Sequence, residues 1–452
     1  MTISDTEFKR QLYTEYLGDC GVMLVDLLKD KSNDIYQWHE TRELEEKIIA
    51  YADAIHIGGE LAKQVTLEII EFGDEEELLG ALVCLTSFFY DQKLLDIVIE
   101  KFKVESDEDR LSIFVLALKF AANANLSEKL LPLTQHKNSF LRTATAEILG
   151  YRGDADPRRI WPLFHDDDDS VKIAAMVAVM RLGFKEAIPA MEQAVLLNKD
   201  TFNEHCILPL LMLGSKKALQ FVQLAMRSPE FIKPQYPIYL AFAGNQQDYT
   251  LFTHALKFEG MLPPVVEALG IYGNVQAMEF LLKQLNTDDD ELKLETAKSL
   301  NMISGANLKE TAIIVEQEEP DLDVDDIIGQ ADANKDKEPG DSREVEVQRH
   351  CTDFQIWSNW WQNNKGRFDP NQRYRFGKPY TFFLVLEEIA KPDTAYADRQ
   401  RAYYELVIRS GEYIAFEPDW FVDKQIEALK KWQNWWNQNK LGLNNPWLFD
   451  GV

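Results

Sequence analysis

Apolar residues recur in a fixed phase through the middle of the chain. Leu149, Val179, Leu210, Leu240 and Leu269 each stand four positions before a glycine, and those glycines (Gly153, Gly183, Gly214, Gly244 and Gly273) follow one another about 30 residues apart. Seven and eight positions after each glycine come the pairs Ile160/Trp161, Ala190/Met191, Phe221/Val222, Leu251/Phe252 and Phe280/Leu281. Apolar positions at constant offsets on both sides of a glycine predict two amphipathic helices joined by a turn, with the glycine as the helix stop. One such unit cannot bury its apolar face alone. It stacks on its neighbours, so the fold class expected is all-α, an α-solenoid.

Four stretches organise the chain. Residues 1–73 precede the clear repeat and predict an N-terminal helical cap: Asp19-Cys20-Gly21 is expected to break a first helix, Lys31 to Asp34 to form a loop, and Leu44 to Gly58 to form a helix ending at Gly58-Gly59. Residues 74–314 form the repeat array. Its best-formed units contain Ser139-Phe140-Leu141-Arg142-Thr143-Ala144 and Asp169-Ser170-Val171-Lys172-Ile173-Ala174, and Asp290-Glu291-Leu292-Lys293 repeats that pattern. This pattern resembles HEAT repeats, with a short period. Residues 315–346 hold thirteen acids against three bases, with Pro320 and Pro339 and no helical periodicity, which predicts an acidic disordered linker. Within it, Asp332 to Glu338 has a weak likeness to a calcium loop, but Lys337 stands where glycine is needed and Arg343 where glutamate is needed.

Residues 347–452 form a Trp-rich helical module, since Cys351 to Val452 holds eight of the ten tryptophans. Trp357-Ser358-Asn359-Trp360-Trp361-Gln362-Asn363-Asn364-Lys365 recurs as Trp432-Gln433-Asn434-Trp435-Trp436-Asn437-Gln438-Asn439-Lys440. Tryptophans at i, i+3 and i+4 share one helical face. They either hold a ligand or a partner, with Trp360 and Trp435 as the candidates, or pack inward to close the array. Between the duplicates lies a basic and aromatic loop with Arg373, Tyr374, Arg375 and Lys378. These four residues either grip an external partner or dock the module on the solenoid's own acids.

The net charge of −27 is unevenly placed: residues 315–346 carry −10, Cys351 to Val452 is neutral, and Met1 to Ile314 carries about −18. An acidic array repels nucleic acid and anionic lipid, which excludes both as partners, and attracts a protein with a basic surface. Acidity could equally serve solubility alone. The first residues hold no apolar leader, and the longest apolar run, Leu78 to Tyr90, is too short to span a bilayer. Four scattered cysteines without a C-x-x-C pair fit a reducing cytoplasm, and Cys206 reads as a small core residue.

Three features occur in order: the Leu44-Glu45-Glu46-Lys47 helix ending at Gly58, the HEAT-like middle, and Arg373-Tyr374-Arg375-Phe376-Gly377-Lys378-Pro379 after a Trp-Trp helix. Together they resemble a family of uncharacterised bacterial HEAT-repeat proteins often encoded near type VI secretion genes. The resemblance implies an adaptor, an accessory factor or an immunity protein, with no active site to carry over and no cofactor. Enzymatic alternatives find little support. HEAT-like iron hydroxylases need repeated His-Glu pairs, and only His39-Glu40 has that order. A HEAT-like lyase or modifying enzyme holding a small ligand at the Trp-rich module remains the alternative. The run His165 to Asp169 could suggest a metal site, but it stands before a helix, where aspartates cap.

Overall fold

A computed structural model describes residues 4–32, 37–87, 92–197, 201–317, 342–443 and 445–451. About 70% of it is helical, in 22 helices that pack in sequence order. Eight helices form a row in which each packs on the next: Glu75–Ser87, Glu108–Phe120, Ser139–Arg152, Asp169–Arg181, Thr201–Met212, Tyr236–Ala243, Leu262–Tyr272 and Asp290–Ser304. Intervening helices such as Ile188–Leu197, Lys216–Ala225 and Met278–Gln284 pack against the row helix that follows them.

Local chemistry fixes where the row helices start and stop. Asn138, Asp168 and Asp289 cap three of them, accepting from the backbone N–H of Phe140 (2.9 Å), Ser170 (2.9 Å) and Leu292 (3.0 Å). Asp166 of the acidic run pairs with Arg142 through two contacts of 2.6 and 2.8 Å, so both of these aspartates have structural duties. At the other ends, Gly153, Gly183, Gly214 and Gly273 take left-handed φ values between 64° and 92°. Gly244 departs from the pattern with an extended φ of −69°; a methyl there would meet Leu240 O at 2.6 Å, so lack of room selects glycine.

Three expectations need correction. Asp19-Cys20-Gly21 does not break the first helix, which runs unbroken over Asp5–Ser32, through Lys31 and Ser32 as well. Gly21 serves close packing instead: a methyl there would lie 1.9 Å from Glu76 O, and one at Gly80 would lie 1.8 Å from Leu17 O, so two helix backbones nearly touch. The fold is not purely helical. Strands β1 (Lys309–Gln317) and β2 (Ser342–His350) pair antiparallel from Lys309↔His350 to Gln317↔Ser342, overrunning both ends of the expected linker. β-branched Thr311, Ile313, Ile314, Val315, Val345 and Val347 suit a ladder better than a helix. Residues 318–341, including the calcium-like segment Asp332 to Glu338, lie outside the described residues.

The third correction concerns the C-terminal module, whose helices are Phe354–Asn364, Phe382–Ala390, Tyr396–Ser410 and Val422–Asn439. It does not sit on the end of the array. It runs along the row from Ser139–Arg152 to Asp290–Ser304, on the edge where the glycines stop the helices. Ala415 lies by Gly153, Tyr413 by Gly183, Asp450 by Gly214, Tyr374 by Gly273 and Phe376 by Gly305. Arg409 donates to Ala241 O (3.0 Å) and Gly244 O (2.7 Å), closing the gap in that series. At the far end the buried Lys31 ammonium joins Glu45 (2.7 Å) to Trp420 O (2.6 Å), and Glu45 accepts from Val422 N (2.9 Å). The glycine beat marks both helix ends and a docking edge. Trp357, Trp432, Val179 and Leu210 belong to one apolar core.

A pair of alanine substitutions should separate the two uses of glycine. Gly260 and Gly273 share a left-handed φ (75° and 71°) and so a backbone penalty of about 1–2 kcal/mol on gaining a Cβ. Gly260 faces open space, whereas a methyl at Gly273 would meet Tyr374 O at 2.1 Å. Urea unfolding should show Gly273→Ala losing clearly more stability than Gly260→Ala. Equal losses would mean that the module is not held against this edge.

Candidate functional site

The loop expected to meet a partner or to dock is built into the interior. Arg373, Tyr374 and Arg375 are 1%, 5% and 2% exposed, which corrects their reading as an external partner-binding surface. The reason is that the last row helices end in unpaired carbonyls facing this loop. Arg373 donates to Ile271 O (3.0 Å) and Tyr272 O (3.1 Å), Tyr374 N to Gly273 O (2.8 Å), and Gly377 N to Ile303 O (3.1 Å). The docking alternative therefore describes these residues, although the acids they meet lie in the module. Arg373 pairs with Glu405; Arg375 pairs with Glu405 at 2.5 Å and with Glu388.

Burial sets the electrostatics of this network. It opposes ionisation of Glu405, but Arg373 and Arg375 outweigh it and hold that carboxyl below its usual range. At Glu388 burial wins over Arg375 and pushes the carboxyl up. Burial, then repulsion from Arg373, lowers Arg409 to about 9, which still leaves it protonated near neutrality.

Trp360 and Trp435 are half-buried and engaged in packing, Trp360 against Trp357 and Phe368, Trp435 against Trp432. The duplicate segments keep their local geometry, Asn364 donating to Trp360 O (2.8 Å) and Asn439 to Trp435 O (2.9 Å), while their indoles reach different carbonyls, Trp357 that of Cys351 (2.6 Å) and Trp432 that of Ile414 (3.0 Å). They lie in different surroundings, one on the helix Met278–Gln284 and the other on Phe382–Ala390. Nothing in the structure gives Trp360 and Trp435 a shared surface.

Lys378 is the one member of the expected set that is exposed, and it lines a cleft of about 1310 Å³. The walls are chiefly the last two row helices, the β1–β2 hairpin, the turn from Arg375 to Lys378 and two helices of the module. One end is acidic, with Glu267, Glu295 and Asp398; Arg401 pairs with Glu267 at 2.8 Å and with Asp398 at 3.1 Å. Burial, and then the neighbouring Glu267, push the Glu295 carboxyl up. The other end gathers Lys298, Lys309, Lys391 and His350. Burial and then the charges of Lys309 and Lys298 depress His350 to about 4, and its Nδ1 is buried without a hydrogen-bond partner among the described residues. This arrangement suits recognition of a charged segment. No group of three or more potential ligating side chains occurs among the described residues. Sequence reasoning missed the cleft because its residues come from elements far apart in the chain and make no local motif.

Two outcomes test this description. Arg375→Ala strands the buried Glu388 and takes one of two arginine partners from Glu405, and should cost about 3–5 kcal/mol in urea unfolding, against no more than about 0.5 for the exposed Lys378→Ala. His350 has a folded pKa below its ordinary value of 6.5, so its contribution is complete above pH 6.5 and lost as pH falls towards 4. The melting temperature of His350→Gln should therefore fall less over that window than that of the unaltered protein; identical curves would contradict the assignment.

The chain matches no model of a known protein family, and a search of curated proteins finds no match either.

Proposed function

We propose that this chain is a non-enzymatic protein-binding scaffold, a HEAT-like α-solenoid braced along its glycine edge by its own C-terminal module. The observation that supports it most directly is the bracing. Contacts from Gly153 to Gly305 tie the row to the module and Lys31 ties the first helix to it, giving a stiff platform suited to presenting a surface. Large apolar side chains stand exposed on it, among them Phe72 (85%), Val104 (73%) and Leu224 (67%). Phe72 borders a depression of about 450 Å³ lined also by Leu67, Glu60, Lys63, Glu68 and Glu71, of which Glu68 pairs with Arg10 and Glu71 with Lys101. An apolar anchor with Glu60, in no ion pair among the described residues, beside it, on a chain of net charge −27, fits a protein partner with a basic surface. No helix among the described residues is long and apolar enough to cross a membrane.

The resemblance of the sequence to HEAT-repeat proteins encoded near type VI secretion genes gives the biological setting we propose: a cytoplasmic adaptor, accessory or immunity protein in a bacterium. A pull-down from the host would supply the partner. Its association rate should then fall about tenfold or more between roughly 50 and 500 mM salt, with dissociation little changed, because surface charge steers encounter and salt screens it. A salt-independent association rate would remove the acidic surface as the steering element.

A further inference from the structure

The cleft has a strand edge for one of its walls. Val347, Gln348, Arg349 and His350 are consecutive on β2 and all four line it. Successive side chains of a strand point to opposite faces, so four in a row reach one cavity only where the strand presents its edge. The ladder shows which backbone groups lie there. Cys351 N donates to Leu308 O at 3.0 Å, which makes these two a hydrogen-bonded pair just beyond the strand ends. Hydrogen-bonded and non-hydrogen-bonded pairs alternate from that point. Arg349 and Val347 therefore bond to Glu310 and Ala312, whereas the N–H and C=O groups of His350, Gln348 and Glu346 turn away from β1. Neither Gln348 N nor His350 N has a backbone partner elsewhere among the described residues.

Charge supplies a second, independent observation. Several lysines of this chain are neutralised by a neighbouring acid. Lys9 pairs with Asp5, Lys101 with Glu71 and Lys129 with Asp96. Lys298, Lys309 and Lys378 all line the cleft from three different elements, and none forms an ion pair with a described residue. Lys298 acts on Glu267 and Glu295 only at longer range. At about 1310 Å³ the cleft exceeds the roughly 300–1,000 Å³ of a usual small-molecule site, which favours a segment of chain.

We propose that this cleft binds an extended acidic peptide as a third strand on the free edge of β2. The peptide backbone pairs with Gln348 and His350, and its carboxylates reach Lys298, Lys309 and Lys378. Strand addition supplies affinity through main-chain hydrogen bonds, and the lysines supply selection for acidic sequence. This site is separate from the acidic surface of the proposed basic partner, and it stands whether or not that partner exists.

Fluorescence anisotropy with the full chain tests it, using a fluorescein-labelled octapeptide of alternating glutamate and valine. Saturable binding is expected, about tenfold weaker for the Lys298→Ala/Lys309→Ala/Lys378→Ala protein. Two further peptides, N-methylated on the valines or on the glutamates, remove the outward donors of either register; at least one should fail to bind. A lysine-valine octapeptide should not bind. Absence of binding at low salt overturns the proposal. Equal binding of both N-methylated peptides, together with full competition by free glutamate, would show a small-anion site and overturn strand addition. Binding unchanged in the triple variant would overturn the assignment of the lysines. None of these readings depends on the salt response of a basic partner, so the two proposals fail separately.

Discussion

Every α-helix ends in carbonyls that its own backbone cannot satisfy, and in this fold a whole row of such ends faces one way. The molecule is organised around supplying their donors. Within the array, Arg110 serves Ile70 O (2.6 Å) and Gly73 O (3.1 Å), and Arg152 serves Asn123 O (3.0 Å). Further along, the donors come from the C-terminal module through Arg409, Arg373, Tyr374 N and Gly377 N. Guanidinium suits the task because it carries five donors in a rigid fork and its charge meets the negative end of the helix dipole. Burying so much positive charge then demands nearby carboxylates, and Glu405 and Glu388 fill that role.

This arrangement explains why the sequence reveals the row of helices more readily than the module. The glycine beat and the aspartate and asparagine caps act within a few residues of themselves, so periodicity exposes them. Gly21 shows the limit of that logic: the same residue that stops a helix at Gly153 lets two helices touch inside Asp5–Ser32, and only the neighbouring Glu76 backbone distinguishes the cases. The hairpin was hidden because its two strands are separated by an acidic stretch that dominates the local composition. Ile313, Ile314 and Val315 alternate with nothing visible until β2 is set against them.

The candidate site was less legible still. Arg373 and Arg375 stand in a loop whose composition fits a surface grip and an internal clasp equally well, and what decides between them is the geometry of carbonyls about 100 positions away. The tryptophan stripes carried the same ambiguity. Their indole N–H groups donate to the carbonyls of Cys351 and Ile414, contacts that no spacing rule anticipates. Of the expected surface residues Arg375 and Lys378 line the cleft, Arg375 buried in its floor and Lys378 exposed, together with Lys298, Lys309 and His350 from elements remote in sequence.

The contact between Lys31 and Trp420 O joins residues 389 positions apart. At the usual ribosomal pace of about 5–20 residues per second, Lys31 emerges some tens of seconds before the carbonyl it will hold. Through that interval the row of helices stands with its glycine edge open. A nascent chain in this condition offers unpaired carbonyls and apolar strips to chaperones and proteases alike. A translation product interrupted before the module would keep that exposure permanently, so docking of the module is also what withdraws the row from such surveillance.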